Sequence, residues 1–188
     1  MAKRQLNPEI LIAMEASVKG DIDFDLAIQN RIWRPAMTRT AAPWCDIKEV
    51  SNKNDGPYIE LSGLTVDGKH KGEAYCLAWV QTIIAFVEYK LKIVSELKAT
   101  EGCLDLWNSC PKHLKTYRYP LPGYIAIWQH GTSLSGHAGI VLQIHETYFK
   151  TIEANSYGPD GVSQGIFTHE RLYSGEGKMK LLGFISPF

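Results

Sequence analysis

The chain lacks any apolar run approaching the roughly 20 residues that cross a bilayer. It lacks an excess of charge of either sign, and it is poor in cysteine. Each shortage removes a class of function. Lysine plus arginine number 20 and aspartate plus glutamate number 20, so no net field draws the chain toward nucleic acid or anionic lipid, and neither partner is expected. No membrane span is expected either. Lys3 and Arg4 have no apolar stretch behind them, because Pro8, Glu9, Glu15 and Lys19 interrupt what would have to be a signal core. Synthesis in the cytoplasm without a signal peptide is therefore expected, with any export by another route. The cysteines Cys45, Cys76, Cys103 and Cys110 are too few and too scattered for a disulfide framework. Cys103 and Cys110 on one helix would lie about two turns apart, at 1.5 Å per residue too far for a disulfide. Cys110 and His113 could supply two metal ligands, but no second pair at zinc-like spacing accompanies them, so no metal and no cofactor is expected.

What remains is a chain of 188 residues without internal repeat or low-complexity tract, long enough for one globular domain plus an extension. Asn7 as cap and Pro8 at the first helical position predict a short helix to Val18, ended by Gly20. Asp21 to Leu26 shows no clear period. Arg31 to Val50, with Trp33, Pro35, Pro43 and Trp44, reads as a wrapped, irregular segment, and residues 51–57 read as a loop. The firmest helix runs from Glu73 to Leu97, with Leu77, Val80, Ile84, Val87, Leu91 and Val94 recurring at helical spacing on an inward face. A shorter helix runs from Cys103 to Asn108. Beyond Pro122-Gly123 the texture changes to strands at Tyr124–Trp128, Ala138–Ile144, Tyr148–Ile152, Gly165–Phe167 and Leu181–Ile185. Helices first and strands afterwards predict an α+β fold with a helix packed across an antiparallel sheet.

Cys76 carries the most chemistry. It opens the apolar helix, where the helix dipole favours a thiolate. His137 leads into the strand Ala138-Gly139-Ile140-Val141, and Glu153 and Asn155 follow on the next strand, on one side of the sheet by alternation. A hairpin reversing near His145-Glu146-Thr147 would return them to His137. A nucleophile, a base and a polar group to orient the base, in that chain order, point to papain-like cysteine chemistry, with either Glu153 or Asn155 as the orienting group. The plain alternatives are a small buried apolar residue for Cys76, an exposed strand residue for Glu153 and a turn former for Asn155. Cys45 is a weaker nucleophile candidate because no helix follows it. His113, His130, His145 and His169 read as solvated.

These segments resemble the CHAP branch of the NlpC/P60-like peptidoglycan hydrolases over roughly Tyr58 to Phe188. Glu73-Ala74-Tyr75-Cys76-Leu77-Ala78-Trp79-Val80 is similar to the family's nucleophile helix. Pro122 to Trp128 is similar to its Gly-Asp strand, Gly136 to Val141 to its histidine strand, and Thr151-Ile152-Glu153-Ala154-Asn155-Ser156 to its Glu-x-Asn strand. Leu181 to Ile185 is similar to its closing strand. The resemblance implies a papain-like α+β fold, with Cys76 as nucleophile, His137 as base, and Glu153 and Asn155 as orienting and polar partners. It implies a peptidoglycan substrate, cleaved at an amide bond through a thioester by an N-acetylmuramoyl-L-alanine amidase or a peptide endopeptidase. Tyr124 stands where the family often has aspartate, and Tyr75 where it often has glutamine, which leaves the Cys76 N–H as the safest oxyanion donor. Some relatives bind calcium near the nucleophile, but residues 67–71 lack a cluster of oxygen ligands.

The expected organisation is therefore an N-terminal extension over residues 1–57 and a cysteine amidase/peptidase domain over 58–188. The expected protein is a monomer acting on the cell wall, as a phage lysin, a phage-tail enzyme or an injected effector with an immunity partner. The alternatives are a papain-like amidase or acyltransferase on a small amide or a protein, and a catalytically idle wall- or partner-binding module.

Overall fold

The computed structural model describes residues 4–188. Among them the chain folds as α+β, with six α-helices and one six-stranded antiparallel sheet. The helices are α1 (Pro8–Ser17), α2 (Ile22–Gln29), α3 (Trp33–Ala41), α4 (Pro57–Asp67), α5 (Cys76–Leu91) and α6 (Cys103–Ser109). The strands are β1 (Lys115–Thr116), β2 (Ile125–His130), β3 (Gly136–Ile144), β4 (Tyr148–Tyr157), β5 (Gln164–Leu172) and β6 (Met179–Ile185), in the spatial order β1-β6-β2-β3-β4-β5.

α5 is the centre of the molecule. Every residue from Cys76 to Val87 is buried, so this helix is enclosed on all sides rather than amphipathic. Its buried Gln81 is satisfied in full: the side-chain amide donates to the carbonyls of Lys98 (3.1 Å) and Thr100 (3.0 Å) and accepts from Arg4 Nε. α5 is shorter than the predicted Glu73–Leu97. It starts at Cys76 and stops where Lys92 turns left-handed at φ 55°, and Val94 is 86 % exposed rather than part of the inward face. Helical periodicity continues past a helix end whenever the next segment happens to place an apolar residue in register.

The segment read as unpatterned is largely helical up to Trp44 and irregular from Cys45 to Val50. Asp21 caps α2 by accepting from the Phe24 N–H at 2.9 Å, and α3 forms across Trp33 and Pro35, with the proline inside its first turn where no N–H is needed. These short helices bury Phe24, Ala27, Ala36, Met37 and Ala41, and α1 buries Ile10 and Met14, all in one cluster with α5. The Asp46 N–H donates to the Ile166 carbonyl, the Ile166 N–H to that of Ile47 and the Glu49 N–H to that of Gln164, which lays residues 46–49 along β5. The segment from Leu6 to Ile47 therefore contributes to the main core. α4, at residues 57–67, also went unread; Pro57 starts it and Gly68 ends it.

The sheet came close to its predicted strands, each lengthened by one to several residues. One face packs Ile125, Ile127, Ala138, Ile140, Ile152 and Ile185 against the helices. The other carries a smaller cluster of Ala126, Trp128, Val141, Phe149 and Phe184. No helix among the described residues is long and apolar enough to cross a membrane.

Candidate active site

The N-terminal end of α5 meets the start of β3. Cys76 is the first residue of α5 and is 5 % exposed. His137 lies directly across from Trp128 in the β2–β3 pairing, with its ring 5.8 Å from the indole. The imidazole Nε2 is 2.9 Å from Glu153 Oε2. That contact commits Nε2–H to the carboxylate and leaves Nδ1 as the nitrogen available to the Cys76 thiol, which His137 holds low by hydrogen bonding and charge.

Glu153 is completely buried. Arg171 donates to both of its oxygens, from Nε at 2.9 Å and from a terminal nitrogen at 2.6 Å, and the Thr151 hydroxyl donates at 2.5 Å. Burial by itself works against the carboxylate, but Arg171 and His137 hold it well below the usual carboxylate range. The plain alternative of an exposed strand residue is excluded for Glu153. Arg171 is fixed in turn by Glu176 at 3.0 Å and lies over the Trp128 ring. Gly139 makes room for this arrangement, because a Cβ there would stand 2.5 Å from Glu153 Cγ.

Glu153 and Asn155 do different work. The β4–β5 register breaks between Glu153 and Ser156, and Asn155 is left-handed at φ 55°, so the simple alternation that put them on one side fails. Glu153 takes His137, while Asn155 Oδ1 accepts the Tyr75 N–H at 3.1 Å, immediately before Cys76. Tyr75 points away from the cleft. It is fully buried, and its hydroxyl donates to Glu49 Oε1 at 3.1 Å.

Burial alone would oppose imidazolium at His137, but hydrogen bonds and charge from Cys76 and Glu153 overcome it and push its pKa up to about 10. The Cys76 thiol is lowered well below the ordinary range, first by a hydrogen bond from Cys103 and then, against burial, by His137. The two Sγ atoms are 3.7 Å apart. Cys103 is pushed up by Cys76 and by burial, so Cys103 keeps its proton and donates it to the Cys76 thiolate. These opposite shifts favour a thiolate at Cys76 beside an imidazolium at His137. Cys45 is unlike it: half-buried, with its thiol pushed up by burial and by Asp46.

Cys76, His137, Asn155 and Arg171 line a cleft of about 590 Å³, together with His130 and His169. These last two histidines read as solvated from the sequence, yet both are partly buried, and His169 Nε2 is 3.0 Å from Ser156 Oγ. His113 and His145 are exposed. Among the described residues no group of three or more His, Cys, Asp or Glu side chains is placed to hold a metal ion. Arg171, Thr151 and Cys103 were not singled out from the sequence; an arginine two strands away in register carries no local signal.

Comparison of the chain with protein-family models, with curated proteins and with solved structures found no match. The chemistry of the site is therefore read from its own geometry.

Proposed function

We propose that the chain is a cysteine hydrolase of papain-like fold that cleaves an amide bond in bacterial peptidoglycan. The observation that carries the hydrolase reading is His137 set between the Cys76 thiol at the start of α5 and the buried Glu153, at the wall of an open cleft. The substrate class rests on the resemblance of the Cys76, His137 and Glu153-x-Asn155 segments, with their flanking strands, to the CHAP branch of the NlpC/P60-like hydrolases.

In this reading the Cys76 thiolate attacks the amide carbonyl, forming an S–C bond and a tetrahedral oxyanion. The Cys76 N–H, one of the unsatisfied donors of the first helical turn, faces that oxyanion. Asn155 keeps its Oδ1 on the Tyr75 N–H, which leaves its NH₂ as a second donor on the cleft side. As the intermediate collapses, the C–N bond breaks and His137 gives its Nδ1 proton to the departing amine, leaving a thioester. His137 then takes a proton from water as the oxygen attacks the thioester carbonyl. The acid departs and the thiolate–imidazolium pair returns. Glu153 stays ionised throughout, holding the ring in one orientation and balancing the charge that His137 carries.

The test is mass spectrometry of purified peptidoglycan digested by the wild type and by Cys76→Ala. Products made by the wild type and absent with the variant support the reading. Free stem peptides mark an amidase, and shortened or uncrosslinked stems an endopeptidase. Identical behaviour of the two folded proteins on every wall tested would sink it.

A further inference from the structure

A second thiol stands against the nucleophile. Cys103 Sγ lies 3.7 Å from Cys76 Sγ, although 27 residues separate the two in sequence. Both are buried, Cys76 on the cleft wall and Cys103 behind it. The approach is built by the surroundings. A Cβ on Gly136 would meet Cys103 Cβ at 3.1 Å and the Trp128 carbonyl oxygen at 2.5 Å, so a glycine at this position lets the start of α6 close onto β3. Asp105, in the first turn of α6, is tied down by Lys98 at 2.8 Å and by the Thr100 hydroxyl at 2.6 Å. A protein that needed only a small apolar neighbour here could use alanine. A thiol in van der Waals contact with a reactive thiolate is a pair of groups that can be joined.

We propose that Cys76 and Cys103 form a reversible disulfide that switches the site off under oxidising conditions and shields the nucleophile from irreversible damage. The switching role rests on Cys76 being the nucleophile; the disulfide itself does not. The oxidant is a small peroxide, which the cleft admits. The Cys76 thiolate attacks one peroxide oxygen, forming an S–O bond and breaking the O–O bond. With hydrogen peroxide the second oxygen leaves as hydroxide and is protonated to water, and Cys76 becomes a sulfenic acid. Cys103 then attacks the Cys76 sulfur. An S–S bond forms, the S–O bond breaks, and the leaving oxygen takes the Cys103 proton and departs as water. The net reaction is two thiols and one hydrogen peroxide to one disulfide and two waters. Each sulfur moves by less than about 1 Å to reach the bonding distance of about 2 Å, so no helix has to unfold. A dithiol reductant restores both thiols by exchange at the disulfide. Without Cys103 the sulfenic acid would persist and pass on to sulfinic and sulfonic acid, which thiols do not reverse.

The experiment treats the full chain with a modest excess of hydrogen peroxide, quenches it, and maps the peptides without reduction. The expected result is a linked pair of peptides containing Cys76 and Cys103, short of two hydrogens, with Cys45 and Cys110 still open to alkylation. Dithiothreitol should abolish the link and return the protein to its untreated mass. Cys103→Ser treated in the same way should carry sulfinic or sulfonic acid at Cys76 that dithiothreitol does not remove. The proposal is overturned if the wild type shows no Cys76–Cys103 link and its Cys76 over-oxidises as in Cys103→Ser. Peptidoglycan turnover, measured in parallel, is expected to vanish on oxidation and return on reduction. A protein that forms the link but never digests peptidoglycan refutes the substrate reading alone, and one that digests peptidoglycan but never forms the link refutes the switch alone.

Discussion

Arg171 clamps both oxygens of Glu153, at 2.9 and 2.6 Å, and Glu153 in turn holds His137 at 2.9 Å. The base is thus oriented through two partners, both on strands beyond its own. A carboxylate with no exposed surface can stay charged only while such partners remain. Arg171→Met removes the larger one and leaves a similar volume of side chain. The expected loss of stability is about 3–5 kcal/mol, read from urea denaturation. A loss under about 1 kcal/mol, the scale of an exposed ion pair, would mean that Arg171 is not the partner keeping Glu153 ionised.

The same network sets the dependence of stability on pH. Glu153 has a folded-state pKa below its unfolded value. Its contribution is present above the unfolded value of about 4.3 and is lost as pH falls through the folded one. His137 is raised to about 10. Its contribution is complete below the unfolded value of about 6.5 and is lost as pH rises toward about 10. The lowered Cys76 thiol works in the opposite direction up to the ordinary thiol value of about 8.5. The denaturation midpoint of the wild type should therefore stay level to about pH 8.5 and fall from there toward about 10. His137→Gln should show a flatter curve over that window. Parallel curves would mean that His137 is not protonated in the folded protein.

Sequence reading reached β2 to β6 and α5, and it singled out Cys76, His137, Glu153 and Asn155, which the fold brings to the same end of α5, because each sits in a local pattern of a helix start, a strand start or a strand after it. It missed α2 and α3, whose short lengths and mixed polarity give no sustained period, although Asp21 in front of Ile22 is an ordinary cap signal. It also missed Arg171 and Cys103, which matter only through pairings across the sheet and between helices. The division of labour between Glu153 and Asn155 was illegible for a related reason. It depends on a register break and a left-handed asparagine, and nothing in the tripeptide Glu153-Ala154-Asn155 announces either.

Gly139 tests how closely the base must be placed. Its backbone is in an ordinary strand conformation, so an alanine there carries no intrinsic strain, but the added Cβ would stand 2.5 Å from Glu153 Cγ and 3.2 Å from the Ile152 carbonyl oxygen. The carboxylate side chain has to move, and His137 moves with it. Gly139→Ala should lower kcat/KM by about 100-fold, the scale of a roughly 1 Å misplacement at a reacting centre, and should lower the pKa of His137 followed by NMR. Unchanged turnover and an unchanged imidazole titration would show that the site tolerates displacement of Glu153.

Deleting residues 1–57 separates two views of the N-terminal segment. An arm carried beside an independent domain could be removed without unfolding the remainder. Here Ile10, Met14, Phe24, Ala36, Met37 and Trp44 are each at most 2 % exposed, in one cluster with α5. Burying a large apolar side chain is worth about 1.5–3 kcal/mol, so the five large ones together contribute on the order of 10 kcal/mol, comparable to the entire net stability of a domain. Their loss would also uncover one side of α5, the helix that presents Cys76. A chain of residues 58–188 should therefore lack a cooperative unfolding transition and the near-ultraviolet signal of packed aromatics. Adding residues 1–57 as a separate peptide should restore both in part, because the contacts, apolar packing and hydrogen bonds alike, need no covalent link. A truncated chain that unfolds cooperatively at the midpoint of the full chain would establish the segment as a separable extension instead.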